Sequence, residues 1–386
     1  MPESRASSRD YRIDFFRGIA LIILFIDHVP FNVYSYFTPG NFGLSDAAEI
    51  FVLVSGVAAA FAYYGRFLEG DRLYASALAW KRSITLYVAH LFGTMAMLGM
   101  FAAASIYFAK PEFLNDINIP PIIADPVAGF AGIVSLGHQL GFYNILPMYM
   151  VFLLLMPAIM LLAQRNITVA LTASFLLYLA TATFRLNLPN YPNAGGWYFN
   201  PLAWQFLFTI GFVIGVRMKA GEPVPYRTWL AIAAVAYIVI GGVWVVGRWG
   251  GSLPDLPLPF VLYGNDKTFL TMNRLLHVLA LAYVLAISPL PRLLQRWLTA
   301  MNPVVLIGRY GLVGFVSATL ISMVGLILRI AFEGDILFDT VFIASGVAVL
   351  AGIGACLEVM RKTGARRAAR RSAPPPETAP SLQPAE

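Results

Sequence analysis

The sequence predicts an all-α, polytopic integral membrane protein of about ten transmembrane helices, with both termini in the cytoplasm. Three observations carry that prediction. Apolar side chains make up 59% of the 386 residues and charged ones only 12%, whereas a soluble domain carries about 25% charged residues; mean hydropathy is +0.70. Apolar runs long enough to cross a bilayer recur from one end of the chain to the other. Nineteen of the 27 lysines and arginines fall on one side of those runs and six on the other, which is the positive-inside bias.

The runs, taken in order, are bounded by charge. The first (13–31) follows Arg12 and is followed by Val33-Tyr34-Ser35-Tyr36. Those residues are bulky where a cleaved signal peptide needs small ones, so the run is expected to stay. The second (47–64) lies between Asp46 and the basic pair Arg66 and Arg72. The third (84–108) starts after Lys81 and Arg82 and stops before Lys110. The stretch 119–140 is apolar too. Its Pro120, Pro121, Asp125 and Pro126 favour a re-entrant or surface-lying segment over an eleventh crossing. The fourth (145–163) and fifth (167–184) are separated at Arg165. The sixth (201–216) ends at Arg217 and Lys219, and the seventh (228–246) lies between Arg227 and Arg248. The eighth (268–287) follows Lys267, the ninth is 303–330, and the tenth (337–360) stops at Arg361.

This divides the chain into a cytoplasmic segment (1–12), a membrane domain (13–360) and a tail (361–386) that is basic and then proline-rich. The tail is expected to be disordered, with its basic cluster against anionic headgroups. The net charge of +7 is explained by the inner-side cations and needs no nucleic acid. The one cysteine, Cys356, excludes an intramolecular disulfide and a cysteine metal cluster. No histidine pair has metal-ligand spacing, and no internal repeat is visible. His90 and His138 have no acidic neighbour in sequence and read as structural.

Charged side chains inside spans are costly, and each is a functional hypothesis. The first span holds Asp14, Arg17, Asp27 and His28. Eleven positions at about 100° each bring Arg17 and His28 onto one helical face, about 16 Å apart along the axis. Asp14, three before Arg17, can pair with it. Alone, Arg17 reads as an arginine snorkelling to headgroups and His28 as a structural hydrogen-bonder. Together on one face, beside Asp27, they argue for function.

In the eighth span Lys267, Arg274 and His277 share a face with no acidic residue between them, so that face wants an anion; the alternative is pairing with carboxylates of another helix. Arg309, inside the ninth span, requires a partner. The loop from Arg185 through Trp197 to Pro201 is rich in Asn, Tyr and Trp. It reads either as a headgroup belt or as a sugar-binding surface.

These residues resemble a known pattern. Asp14-x-x-Arg17-Gly18, followed by an apolar run and His28, is similar to the R-x10-H signature of the membrane acyltransferase 3 superfamily. Asp27-His28-Val29-Pro30, the segment from Asp46 through Glu49 to Gly56, and the segment from Lys267 to His277 resemble its OpgC branch. That branch is associated with succinylation of osmoregulated periplasmic glucans.

The resemblance implies an O-acyltransferase of the bacterial inner membrane. It would move an acyl group, succinyl by analogy, from cytoplasmic acyl-CoA to a periplasmic glycan. Succinyl-CoA would be a substrate and no cofactor would be bound. Arg17, with Asp14 and Arg309, would meet the donor phosphates. His28 would be the general base, oriented by Glu49 in preference to Asp27, or by Asp46. Lys267, Arg274 and His277 would cradle an acyl carboxylate or the oxyanion, and Arg185 and Trp197 would face the acceptor. The expected partners are acyl-CoA, the glycan and membrane lipid, without nucleic acid; no feature encodes an oligomeric state. The alternative function is a proton-coupled secondary transporter.

Overall fold

A computed structural model describes residues 10–249, 259–332 and 334–372 of the protein, with side chains to residue 365. Among the described residues the elements are helices, without a β-strand. Helix α1 (Tyr11–Asp27) is capped by Asp10, which accepts from the Arg12 backbone N–H at 3.0 Å. Helix α2 (Ala47–Ala59) begins in a capping box. Asp46 Oδ1 accepts from the Ala48 N–H at 2.9 Å, and Glu49 Oε2 accepts from the Asp46 N–H at 2.8 Å. The helix then runs through a π turn at Ala60–Tyr64 into α3 (Gly65–Leu68), giving one apolar unit of 22 residues.

Helix α4 (Arg72–Tyr107) has 36 residues, roughly 54 Å against a hydrocarbon core of about 30 Å, so it projects beyond a bilayer. The stretch after it folds as α5 (Pro120–Ala124) and α6 (Pro126–Val134). Neither approaches the ~20 residues a crossing requires, which agrees with the absence of an eleventh span. The pair returns to α4, where the Tyr87 hydroxyl donates to the Val134 carbonyl at 2.8 Å.

Helices α7 (Ile145–Arg165) and α8 (Ile167–Phe184) turn at Asn166, whose side chain caps α8. Then come α9 (Pro201–Lys219) and α10 (Thr228–Val246). Helix α11 (Met272–Ile287) meets α12 (Leu290–Trp297) at a bend of 66°. Helices α13 (Pro303–Arg309) and α14 (Gly311–Ala331) divide at Tyr310, and α15 (Ile336–Ser372) closes the described chain.

Eight of these helical units are long and apolar enough to cross a membrane, or nine if α11 and α12 form one broken span. Hydropathy predicts about ten crossings, and eight or nine units meet the length and composition of one. Helix α1 has 17 residues and α11 has 16, and the ninth run is split by the break at Tyr310. The basic cluster from Arg361 onward forms the last turns of α15 rather than a separate tail. The proline-rich end and most of the 1–12 segment lie outside the described residues.

Backbone contact between helices fixes the interior. Lipid supplies no hydrophobic drive for helix association, so small residues that allow close approach do the work. A Cβ on Gly18 would stand 2.0 Å from the Val304 carbonyl oxygen, and one on Gly308 would stand 1.8 Å from that of Asp14. Helices α1 and α13 therefore touch main chain to main chain. Gly56 and Gly211 join α2 to α9 in the same way. The centre of the bundle is α1, α2, α9, α13 and α14, while α10 lies on the outside.

Candidate active site

Two ionic clusters occupy the two ends of α1. The first surrounds its C-terminus, where His28 is the cap residue. The capping box of α2 leaves Asp46 Oδ2 and Glu49 Oε1 free to face outward from that helix. Lys267 Nζ donates to Asp46 Oδ2 at 2.6 Å, and Arg274 Nη2 donates to the same oxygen at 3.0 Å. Arg274 Nε donates to Glu49 Oε1 at 2.7 Å, and Glu49 is 0% exposed.

Lys267 is placed by its main chain. Its carbonyl accepts from the Trp204 indole at 2.8 Å, and the Leu270 carbonyl accepts from the Tyr178 hydroxyl at 2.9 Å. Burial alone would raise the carboxyl of Asp46, which stands outside the spans. The adjacent Lys267 and Arg274 reverse that and hold it below the ordinary carboxylate range. Burial alone would likewise lower Lys267, and Asp46 and Glu49 keep its ammonium above the ordinary lysine value.

The His28 ring stacks on Phe142 with centroids 4.0 Å apart and planes within 6°. Lys267 and Asp46 lie within electrostatic range of it. Asp27, the preceding residue, lies within range of the same two and close to Thr38. Three carboxylates (Asp27, Asp46 and Glu49) and two cations (Lys267 and Arg274) thus gather at this end of α1.

This arrangement corrects two expectations. Glu49 is engaged by Arg274 and by the cap of its own helix, so both its oxygens are already bonded away from His28. The face of Lys267 and Arg274 is not an unfilled anion cradle, because the α2 carboxylates already neutralise it; buried cations in a low-dielectric interior demand such partners. His277 turns away from this face. Its Nδ1 lies 2.7 Å from Ser45 Oγ, and its ring packs on Gly43.

The second cluster gathers at the other end of α1. Arg309 Nη1 lies 2.9 Å from Glu358 Oε2, and Arg309 Nε lies 3.7 Å from Asp14 Oδ2. Glu358 also accepts from the Tyr310 hydroxyl at 3.0 Å and from Arg361 Nη2 at 2.8 Å. Arg309 is therefore a buried cation clamped between helices. The Arg17 guanidinium lies over Gly311, where a Cβ would stand 2.7 Å from its Nη2. Arg17 and Arg82 both lie within charge range of the Tyr63 phenol, beside Tyr149. Tyr63 sits on the π turn, a distortion common at functional sites.

Two sequence candidates lie apart from both clusters. Arg185 ends α8 with a positive φ of 53° and stacks 3.5 Å over the Phe260 ring. Trp197 is 4% exposed, so its face is closed to a sugar outside; Tyr191 and Tyr198, each 50% exposed, are the open rings of that loop. Sequence reasoning missed Glu358, Arg82 and Tyr63. Glu358 carried a signal, since it is a carboxylate inside a predicted span. In the sequence Arg82 is one more inner-side charge, and Tyr63 lies unmarked within an apolar run.

A bundle of membrane-crossing helices, with charged clusters at the two ends of its first helix, defines a multi-pass membrane protein with an internal polar site. The chain belongs to the OpgC family: the family model described as OpgC protein matches residues 9–362. Membership implies a transferase, an acyltransferase acting on glucans, and lends nothing to the transporter alternative. A search of curated proteins and a search of solved structures each found no match.

Proposed function

We propose that the protein transfers an acyl group, succinyl by its resemblance to the OpgC branch, from cytoplasmic acyl-CoA to hydroxyls of a periplasmic glucan across the bacterial inner membrane. The observation that carries this reading is the placement of Arg17 and His28 on one helix, about 16 Å apart, each inside its own polar cluster. A thioester donor on an extended arm matches that separation; a small solute does not need it.

Arg17 and Arg82 bind donor phosphates, which favour permanent cations with several N–H donors. At the other end His28 accepts the proton of the acceptor hydroxyl. The hydroxyl oxygen then bonds to the thioester carbonyl carbon, the carbon–sulfur bond breaks, and the thiolate takes the proton from the imidazolium. Asp46, fixed by Lys267 and Arg274, stabilises the charged imidazole electrostatically. The donor is a substrate, and the scheme uses no bound cofactor.

The test is His28→Ala in purified protein supplied with succinyl-CoA and glucan. Transfer should fall by about a hundred- to ten-thousand-fold, the range for loss of a general base, while the melting temperature holds. Unaltered transfer would remove His28 from the chemistry.

A further inference from the structure

Between the two clusters, inside the bundle, six buried polar atoms have no hydrogen-bond partner: both ring nitrogens of His90 and the hydroxyls of Thr94, Tyr143, Ser55 and Thr319. One side of the His90 ring approaches the Tyr143 backbone without the geometry of a hydrogen bond. All five residues are fully buried or nearly so. Buried polar groups are nearly always paired, because an unmet one never recovers its desolvation. A structural histidine, as His90 reads from sequence, would have a partner.

A chain of rings links the five residues. The His90 and Tyr143 rings lie 5.7 Å apart. The Tyr143 hydroxyl rests against Gly93, where a Cβ would stand 2.1 Å from it; Thr94 is the next residue and lies one turn along from His90. The Tyr143 ring is 5.8 Å from Phe315, which is 6.5 Å from Phe51. Thr319 and Ser55 each stand one turn from those phenylalanines on antiparallel helices, Thr319 toward the His28 end and Ser55 toward the Arg17 end.

The cluster also spans depths between Arg17 and His28. Gly311 marks the level of the Arg17 guanidinium, and Thr319 is eight residues further along α14, about 12 Å. Phe142, the neighbour of Tyr143, stacks on His28.

We propose that His90, Thr94, Tyr143, Ser55 and Thr319 hydrogen-bond the amide-bearing arm of the acyl-CoA donor as it passes from Arg17 to His28. This inference rests on the function proposed above and adds the residues that hold the donor between its ends. Each amide of the arm offers one donor and one acceptor, and the arm carries a hydroxyl as well. Hydroxyls and an imidazole, which can both give and accept, match that alternation, whereas an acyl chain of methylenes would favour an apolar wall. The groups are closed to solvent in this conformation. Tyr143 is the one member on a non-helical segment, just ahead of α7, so its ring is the part that moves to admit the arm.

The experiment uses Thr94→Val, Tyr143→Phe and Thr319→Val, each nearly isosteric, in purified full-length protein. Two probes are titrated: succinyl-CoA, and the nucleotide half of coenzyme A without the arm. Each variant should melt no lower than the wild type, because it removes an unmet polar group. Each should weaken succinyl-CoA binding by about five- to tenfold and leave the nucleotide half unaffected. Thr94→Ser should restore affinity. Wild-type succinyl-CoA affinity in all three variants overturns the inference, as does a lower melting point with unaltered affinity, which would indicate a sealed structural network. Equal wild-type affinity for both probes also overturns it while leaving the acyltransferase reading intact. A wild type that binds neither probe overturns that reading and this inference with it.

Discussion

Arg274 Nε stands 2.7 Å from Glu49 Oε1, a contact between the start of α11 and the first turn of α2. Because the same guanidinium also reaches Asp46, the cation of one helix grips both members of the other helix's capping box. The end of α1 that carries His28 is braced by this unit.

Arg274→Gln should therefore destabilise the fold as well as impair transfer. Glu49 would be left buried and unpaired, at a cost of about 3–5 kcal/mol. Thermal unfolding in detergent should show the loss, and the double variant Glu49→Gln with Arg274→Gln should recover much of it. Transfer from succinyl-CoA and from acetyl-CoA should fall alike. A loss confined to succinyl-CoA would reinstate Arg274 as the ligand of an acyl carboxylate.

Two glycines three positions apart, both in contact with α1, should behave differently. In Gly308→Ala the new methyl meets the Asp14 main chain, which cannot yield without separating α1 from α13, so folded protein should be lost. In Gly311→Ala it meets only the tip of the Arg17 side chain. That variant should fold, with its donor affinity reduced; equal melting losses in both would contradict this.

Arg309→Gln should lower the melting temperature far more than Arg361→Gln. Both bond Glu358, but Arg309 is buried and Arg361 is 60% exposed. Exposed ion pairs are worth only about 0–1 kcal/mol. Parallel melts of the two variants decide the matter.

Arg17→Lys keeps the charge and loses the planar fork. Acyl-CoA titration should show weaker binding in a folded protein, and Arg82→Gln should do the same. Undiminished affinity in Arg17→Lys would return that residue to the role of a headgroup-facing arginine.

Much of the frame was legible in the residues. Apolar runs located the membrane helices, because hydrocarbon admits only segments that satisfy their own backbone. The break at Tyr310 was not legible, since hydropathy averages over a kink. Hydropathy ended the eighth run where α11 ends, but it did not foresee the helix α12 and its 66° bend. Within the site, Asp14, Arg17, Asp27, His28, Glu49 and Arg274 stood out because charge inside a span is rare, and Asp46 and Lys267 because each borders a span. Trp197 was misleading, because its residue type does not tell a stacking face from a buried one.

The sequence by itself determined what shares a helix face. Helical periodicity is local, so the alignment of Arg17 with His28 and the Asp46–Glu49 cap follow from spacing alone. Only the tertiary structure decided which charge meets which. Asp46 and Lys267 are 221 positions apart and Glu49 and Arg274 are 225 apart. A low-dielectric interior requires that buried charges be paired, but it does not name the partner. That choice is made by the glycine contacts that bring α1 against α13 and α2 against α9, and by the Tyr178 and Trp204 hydrogen bonds that hold the segment carrying Lys267.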